Sequence, residues 1–293
     1  MRWRPDGPLD VVEPAQLRDA RGFSPSLRRY APPPWLGELV RRFWVPVWSL
    51  PPGRSSVQRV LQYPVCQVVV GPDRAELVGP HTGLTTEELR GDGWVVGAMM
   101  QPAAGLALAG GPVAELANLR RDLATVAGVD APALVAAVRG ALGTDPAEIA
   151  RQQEACALLA EALAVLVPVD EEGRLVNAVV EYVEGAREVQ RVSQVCEKFG
   201  IGERALQRLT RRRIGLSPKW LVQRRRLHDA ADLLRAGEHV DLARVAADLG
   251  YADQAHFTRD WRAVTGLTPG EFAAEPTADG DETARPASRG PGA

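Results

Sequence analysis

Lysine is nearly missing from this chain. Of its 35 basic residues only Lys198 and Lys219 are lysines, and the rest are arginines. Arginine and alanine excess is what a GC-rich genome writes, so the arginine count alone carries no functional weight. Cysteine is scarce too. Cys66, Cys156 and Cys196 lie far apart and form no CxxC or Cys/His cluster. That spacing excludes a disulfide framework or a zinc site and implies reduced thiols. His81 is the only histidine before residue 228, so no His-based metal set is expected in the N-terminal half, and no cofactor. No apolar run approaches the ~18 residues of a membrane span, and the first residues hold no apolar signal core. A cytoplasmic protein with no membrane partner is expected. Net charge is −2, which by itself does not announce nucleic acid, so the local distribution of charge is what matters.

What is present divides along the chain. At ~100–200 residues per domain, 293 residues suggest about two domains. Residues 1–34 are rich in Pro and Gly and read as an irregular lead-in. Short apolar runs at Phe43–Leu50, Val57–Tyr63, Val65–Val70, Ala75–Val78 and Trp94–Met99 are predicted strands, separated by Gly/Pro turn signals. Strands this short and close suggest a small β-barrel or sandwich. From Ala103 the chain is Ala/Leu-rich, with helices predicted at Pro112–Leu119, Ala131–Leu142 and Pro146–Val167. The last carries an apolar stripe at Ile149, Cys156, Leu159, Leu163 and Leu166. That stripe either packs on its own domain or forms a dimer helix. The expected division is therefore 1–168 (β-rich to about 101, helical over 103–167), an acidic linker at 169–174, an all-helical unit at 175–274, and a disordered tail at 275–293. The fold class is α+β multidomain.

The helical unit holds the informative pattern. Val192, Val195, Cys196 and Phe199 make one apolar face, and Gly200 then breaks the helix where a helix-turn-helix needs a tight turn. A second helix, 203–213, buries Ala205, Leu206, Leu209 and Ile214. It leaves Arg204, Gln207, Arg208, Arg211 and Arg212 on the other side, and the 3–4 spacing puts the first of these on one face. Arg can bond guanine bidentately and Gln adenine. Ser217-Pro218 starts a helix of about 27 Å running to Arg235, with Lys219, Arg224, Arg225 and Arg226 in its first half. Then the motif recurs. Leu242, Val245, Ala246 and Leu249 precede Gly250-Tyr251, and Asp253 caps a helix at 254–265. That helix buries Phe257, Trp261 and Val264 and offers Gln254, His256, Thr258 and Arg259. Thr268 and Glu271 form a capping box for a closing helix, with Pro269 at its first position.

Charge sharpens this reading. Residues 198–226 hold ten Lys and Arg and one Glu, whereas 241–262 hold three Arg and four Asp. Such local cation density is the footprint of phosphate contact, and it assigns affinity to the first module and discrimination to the second.

Several segments together resemble the AraC/XylS-type DNA-binding domain. They are Val192 to Ile201, Ala205 to Leu209, Gly215 to Pro218, Ala243 to Tyr251, Ala255 to Arg262 and Gly266 to Phe272. The resemblance covers 175–274, about a third of the chain. It implies two modules joined by a helix and reading adjacent major grooves. By position, Arg204, Gln207 and Arg208 would be base readers of the first module, and Gln254, His256 and Arg259 of the second. Position 204 is Arg where some members carry an aromatic, which leaves the base preference there open. Pro33 to Leu36, Phe43 to Val45, Leu77 to Gly83 and the turn at Gly97 to Ala103 resemble, less closely, the cupin-like sensor domains that precede this unit in bacterial regulators.

These readings give a sequence-specific transcription regulator, ligand-responsive, an activator and not an enzyme. Double-stranded DNA and RNA polymerase are the expected partners, with a small-molecule effector and a homodimer left open. Expected DNA contacts are Arg204, Gln207, Arg208, Arg211, Arg212, Lys219, Arg224, Arg225, Gln254, His256, Thr258 and Arg259. Solubilisation and internal pairing remain the alternative for Arg224–Arg226. A ligand pocket is expected at Trp44, Tyr63, Trp94 and Met99, with plain core packing as its alternative. An N-terminal enzyme using a reactive cysteine, or a mere dimerising scaffold, are the competing readings.

Overall fold

The segment from residue 40 to 49 alternates between two chemistries, and successive side chains of a strand point to opposite faces. The computed structural model describes residues 3–9, 16–17, 25–236 and 240–274. In it, Val40, Phe43 and Val45 enter the main core, while Arg42, Trp44, Pro46 and Trp48 line a cavity on the other face. This strand, β3 (Val40–Ser49), follows β1 (Gln16–Leu17) and β2 (Ser26–Tyr30). After it come β4 (Ser55–Val60), β5 (Gln67–Val70), β6 (Ala75–Val78), β7 (Thr85–Arg90), β8 (Asp92–Trp94), β9 (Val96–Met100) and β10 (Arg120–Asp122). One sheet has the order β10-β6-β5-β9-β3-β2, with β8 also paired to β3. A smaller sheet has the order β1-β4-β7, and all pairs are antiparallel. The cavity lies between the two sheets.

Helices close the other face of the large sheet. After α1 (Gly105–Ala109), α2 (Ala131–Leu142) is capped by Asp130, which accepts from the Ala133 amide at 3.1 Å. Leu134, Val138 and Leu142 of α2 and Cys156, Leu159 and Leu163 of α3 (Ile149–Leu163) are buried in one core. The Tyr30 hydroxyl on β2 is 2.7 Å from the buried Gln152 side chain on α3. Cys156, Leu159 and Leu163 of the α3 stripe are thereby spent inside their own domain, Leu166 packs there in part, and Ile149 at its start stays exposed.

The described elements of the C-terminal region are all helices. They are α4 (Glu171–Gly185), α5 (Val192–Phe199), α6 (Glu203–Arg213), α7 (Pro218–Ala236), α8 (Leu242–Asp248), α9 (Gln254–Thr265) and α10 (Pro269–Ala273). Two small cores share α7. Leu221 and Val222 pack with Val179, Val183, Leu206 and Leu209; Leu227, Ala231 and Leu234 pack with Val245, Phe257, Trp261 and Phe272. Leu61, from the segment after β4, is fully buried in the second of these cores.

Several expectations are corrected. Ser26–Tyr30, placed in an irregular lead-in, pairs with β3 along its whole length. Thr85–Arg90 is a strand that apolar alternation did not reveal. Pro112–Leu119 is not an α-helix; it contains a single 3-10 turn, Val113–Glu115, before β10. The segment 169–174 is no open linker, because Asp170 caps α4 through the Gly173 amide at 2.7 Å. Its acids also hold Arg213, with Asp170 at 2.5 Å and Glu172 at 2.8 Å. The 275–293 tail lies outside the described residues.

Candidate nucleic-acid interface and effector cavity

The turn between α5 and α6 forms because Gly200 takes a left-handed backbone, φ 63°, that costs a side-chain-bearing residue free energy. The Ile201 amide then closes on the Cys196 carbonyl at 3.1 Å. Leu206 and Leu209 are buried, which fixes the roll of α6. Arg204, Gln207, Arg208, Arg211 and Arg212 are all exposed on its outer side. Two of them are engaged within the chain: Gln207 Nε2 donates to Glu203 at 3.1 Å, and Arg212 pairs with Glu172 at 3.1 Å. Lys219, in the first turn of α7, is exposed.

The second module repeats the device. Gly250 has φ 72°, and the Tyr251 amide bonds the Ala246 carbonyl at 2.9 Å. The Asp253 side chain accepts from the His256 amide at 2.6 Å and starts α9. Such a cap contributes ~1 kcal/mol. Phe257 and Trp261 are fully buried, so Gln254, His256 and Arg259 face outward, and Thr258 is half-buried. The His256 imidazole packs edge-on to the Tyr251 ring and has Nε2 3.9 Å from Asp260. The Thr268–Glu271 box is formed as its sequence implies, with the Thr268 amide donating to Glu271 at 2.7 Å.

Arg224 and Arg225 are not where the sequence placed them. They are 3% and 6% exposed and face the interior. Arg224 Nε donates to the Gln62 carbonyl at 2.8 Å, tying α7 to the N-terminal domain. Arg225 reaches Asp229 at 2.6 Å and the Val189 carbonyl at 2.8 Å, tying α7 to the α4–α5 link. Arg226 donates to the Leu249 carbonyl at 2.7 Å, with its guanidinium 3.9 Å from the Tyr251 ring centroid, and so ties α7 to the second turn. The run is internal mortar, because each guanidinium finds a backbone carbonyl that water would otherwise have to satisfy.

The cavity between the sheets measures about 180 Å³. Trp44, Tyr63 and Met99 line it, together with Trp48, Gln58, Gln62, Thr85 and Leu89. Trp94 does not; it is 7% exposed and belongs to the main core behind β3. Trp44 and Trp48 lie flat on the glycines opposite them in register, Gly97 and Gly93. A Cβ on Gly97 would meet the Trp44 ring at 2.2 Å. The Trp44 indole N–H is buried without an acceptor. Gln62 Nε2 donates to Thr85 at 2.9 Å across the cavity wall. The sequence signal for this wall is the alternation Arg42, Trp44, Pro46, Trp48; reading Trp94 with the same set mixes two faces. Cys66 and Cys156 are buried, and burial pushes both thiols up, Cys66 to about 12. Neither is the activated thiolate that the enzymatic alternative requires.

Residues 195–275 match the family model of a helix-turn-helix domain of the AraC type. This region is an AraC-type DNA-binding domain. Residues 28–122 match a domain of unknown function, DUF6597. Comparison with curated proteins gave no match. Among solved structures, the C-terminal domain of AraT, a response regulator from Geobacillus stearothermophilus, is similar at 19% identity. That likeness covers 39% of this chain and 98% of that one, with TM-score 0.34. A probable AraC family transcriptional regulator from Rhodopseudomonas palustris is 29% identical over 32% of this chain and 90% of its own, with TM-score 0.30. ToxT from Vibrio cholerae is 11% identical over 79% of this chain and 96% of its own, with TM-score 0.40.

The helix-turn-helix match confines the DNA-binding fold to residues 195–275. Its positive surface is smaller than the sequence count suggests. Of the ten cations between 198 and 226, Arg213, Arg224 and Arg225 are buried and Arg226 is half-buried. Lys198, Arg204, Arg208, Arg211, Arg212 and Lys219 remain exposed. Among the described residues no helix is long and apolar enough to cross a membrane.

Proposed function

We propose that the protein is a ligand-responsive transcription activator whose α6 and α9 enter successive major grooves. One observation carries this reading. Both helices bury an apolar face under a glycine turn and present a short polar face of hydrogen-bonding side chains to solvent. A helix fits the major groove, and base edges there carry a readable donor and acceptor code. Arg204, Gln207 and Arg208 are the proposed base readers of the first module, and Gln254, His256 and Arg259 of the second. Arg211, Arg212, Lys219 and Thr258 are proposed phosphate contacts. Arg212 and Gln207 exchange their present carboxylate partners for DNA.

The sensor unit runs to about residue 168, and the DNA-binding unit opens at the Asp170 cap. The inter-sheet cavity is the proposed effector site. It suits a small, largely apolar molecule carrying one acceptor for the Trp44 indole. Activation, by contact with RNA polymerase, follows the resemblance. Genomic footprinting of bound DNA, with reporter transcription measured alongside and with and without candidate metabolites, tests the reading. The expected result is a two-part footprint about one helical turn apart on one face of the duplex, with transcription raised when it is occupied. A single-module footprint contradicts the two-groove docking.

A further inference from the structure

Between residues 198 and 226 the chain carries ten cations and a single acid, Glu203. That acid stands where a surface built only for phosphate would not place one. Glu203 is the first residue of α6 and is exposed. Residues four apart lie one above the other on a helix. Glu203 therefore heads the row that Gln207 and Arg211 continue, beside the row of Arg204, Arg208 and Arg212. Both rows lie on the side that burial of Leu206 and Leu209 leaves to solvent. The N-terminal residues of a recognition helix are the ones that reach base edges.

The carboxylate does little for the fold. It takes no part in the ion pairs of Arg212 and Arg213, which go to Asp170 and Glu172. It does not cap α6, because the cap position is Gly202 and no side chain bonds there. It accepts from Gln207 Nε2 at 3.1 Å, one helical turn on. Its charge favours the helix N-terminus, as any acid in this turn would.

A carboxylate carried into the major groove is repelled by phosphate and loses part of its water, so it needs a donor. Gln207 turns to DNA in the docking proposed above and no longer supplies one. The groove offers two donors, cytosine N4 and adenine N6, while guanine and thymine present only acceptors. Adenine sets its N7 acceptor beside the amino group; cytosine presents the amino group alone.

We propose that Glu203 is a specificity-determining residue that accepts from the amino group of one cytosine in the first half-site and rejects guanine and thymine there. The inference rests on the α6 docking proposed above and deepens it. Arg204, Gln207 and Arg208 attract the duplex; Glu203 reads it by exclusion. The acid lowers affinity for DNA at large and raises the contrast between sequences, because its repulsion is offset only opposite a cytosine.

The test is selection of duplexes from a randomised library by the full chain, then anisotropy titrations of wild type, Glu203→Ala, Glu203→Gln and Arg208→Ala on the selected duplex and its single-base changes. Wild type should bind cytosine at one position about tenfold or more tighter than guanine. Glu203→Ala should cut that contrast below about threefold, mainly by binding the guanine duplex more tightly. Glu203→Gln should move the preference at that position toward adenine, to which an amide bonds bidentately. A purely structural role at the helix N-terminus would lower the melting midpoints of both variants and move no base preference. Preferences in Glu203→Ala identical to wild type at every position, or a change of equal size on every duplex, overturn the proposal. So does a wild-type preference for guanine or thymine at the position the variants alter. Arg208→Ala separates this outcome from failure of the docking. Discrimination relaxed in Arg208→Ala but unchanged in both Glu203 variants refutes the role of Glu203 alone. Unchanged preferences in all three variants, or no sequence selected by wild type, refute the docking and the role of Glu203 together.

Discussion

Arg224 Nε donates to the backbone carbonyl of Gln62 at 2.8 Å, across 162 residues of chain. Gln62 in turn faces the inter-sheet cavity, so a single contact separates the proposed effector site from the helix that joins the two DNA-binding modules. The Leu84 amide adds a second tie, bonding the Val264 carbonyl of α9 at 3.0 Å.

The internal role of Arg224 has a consequence for salt dependence. Each phosphate neutralised by a cation contributes about −0.9 to the slope of log K against log salt. Arg211→Gln should flatten the slope by about 1, and Arg224→Gln should leave it unchanged. Fluorescence-anisotropy titrations across a salt series measure both. A flattened slope in Arg224→Gln would place that guanidinium on DNA.

Gly97→Ala forces a methyl into the Trp44 ring. Overpacking of this kind costs about 1–3 kcal/mol. Urea denaturation should show that loss, and displacement of the ring toward the cavity should weaken any effector found to bind there. Wild-type stability and effector affinity in the variant would show that the sheets have slack at this point.

His228 is held neutral. Burial drives its pKa well below the ordinary 6.5, and the charges of Arg224, Arg41 and Arg235 add to the effect, with the Tyr63 ring against its face. Below about pH 6.5 the unfolded chain takes up a proton that the folded chain refuses, so stability falls as pH drops and is fully present above that value. His228→Leu should remove this part of the acid sensitivity. Melting midpoints of the two proteins at about pH 5 and 7.5 test it, and parallel pH profiles would refute it.

Trp261 is fully buried between Phe257 and Phe272 and anchors the second module. Trp261→Ala should cost ~3–5 kcal/mol in a denaturant titration. Because Leu61 shares this core, the loss should also loosen the N-terminal contact, seen as faster amide exchange around residues 61–64. Protection unchanged there would show that the two ends of the chain are not coupled through this core.

Local signals made the helical half legible. Gly200 and Gly250 mark left-handed turns, Asp253 and Thr268 mark caps, and 254–265 is the helix the sequence predicts. The small sheet was not legible, for a physical reason. Thr85, Glu87 and Leu89 of β7 face a mixed polar cavity while Thr86 and Arg90 face solvent, so apolar alternation never develops. Nor could the sequence sort its arginines. Arg211 and Arg224 look alike in a helical pattern, and only a carbonyl 162 residues away shows that Arg224 is interior. Trp94 fails for a related reason: it packs with Tyr30 and Phe43 in the main core, while Trp44 and Trp48 lie on the other face of the sheet.

Whether α6 reads base edges is tested most sharply at Arg208. Binding of wild type and Arg208→Ala should be measured on the footprinted operator and on a set carrying every single-base change in the first half-site. A loss of ~1–3 kcal/mol on the operator is expected, with discrimination relaxed at one base pair and kept at the others. A loss of the same size on every sequence would make Arg208 a phosphate contact and contradict the assignment.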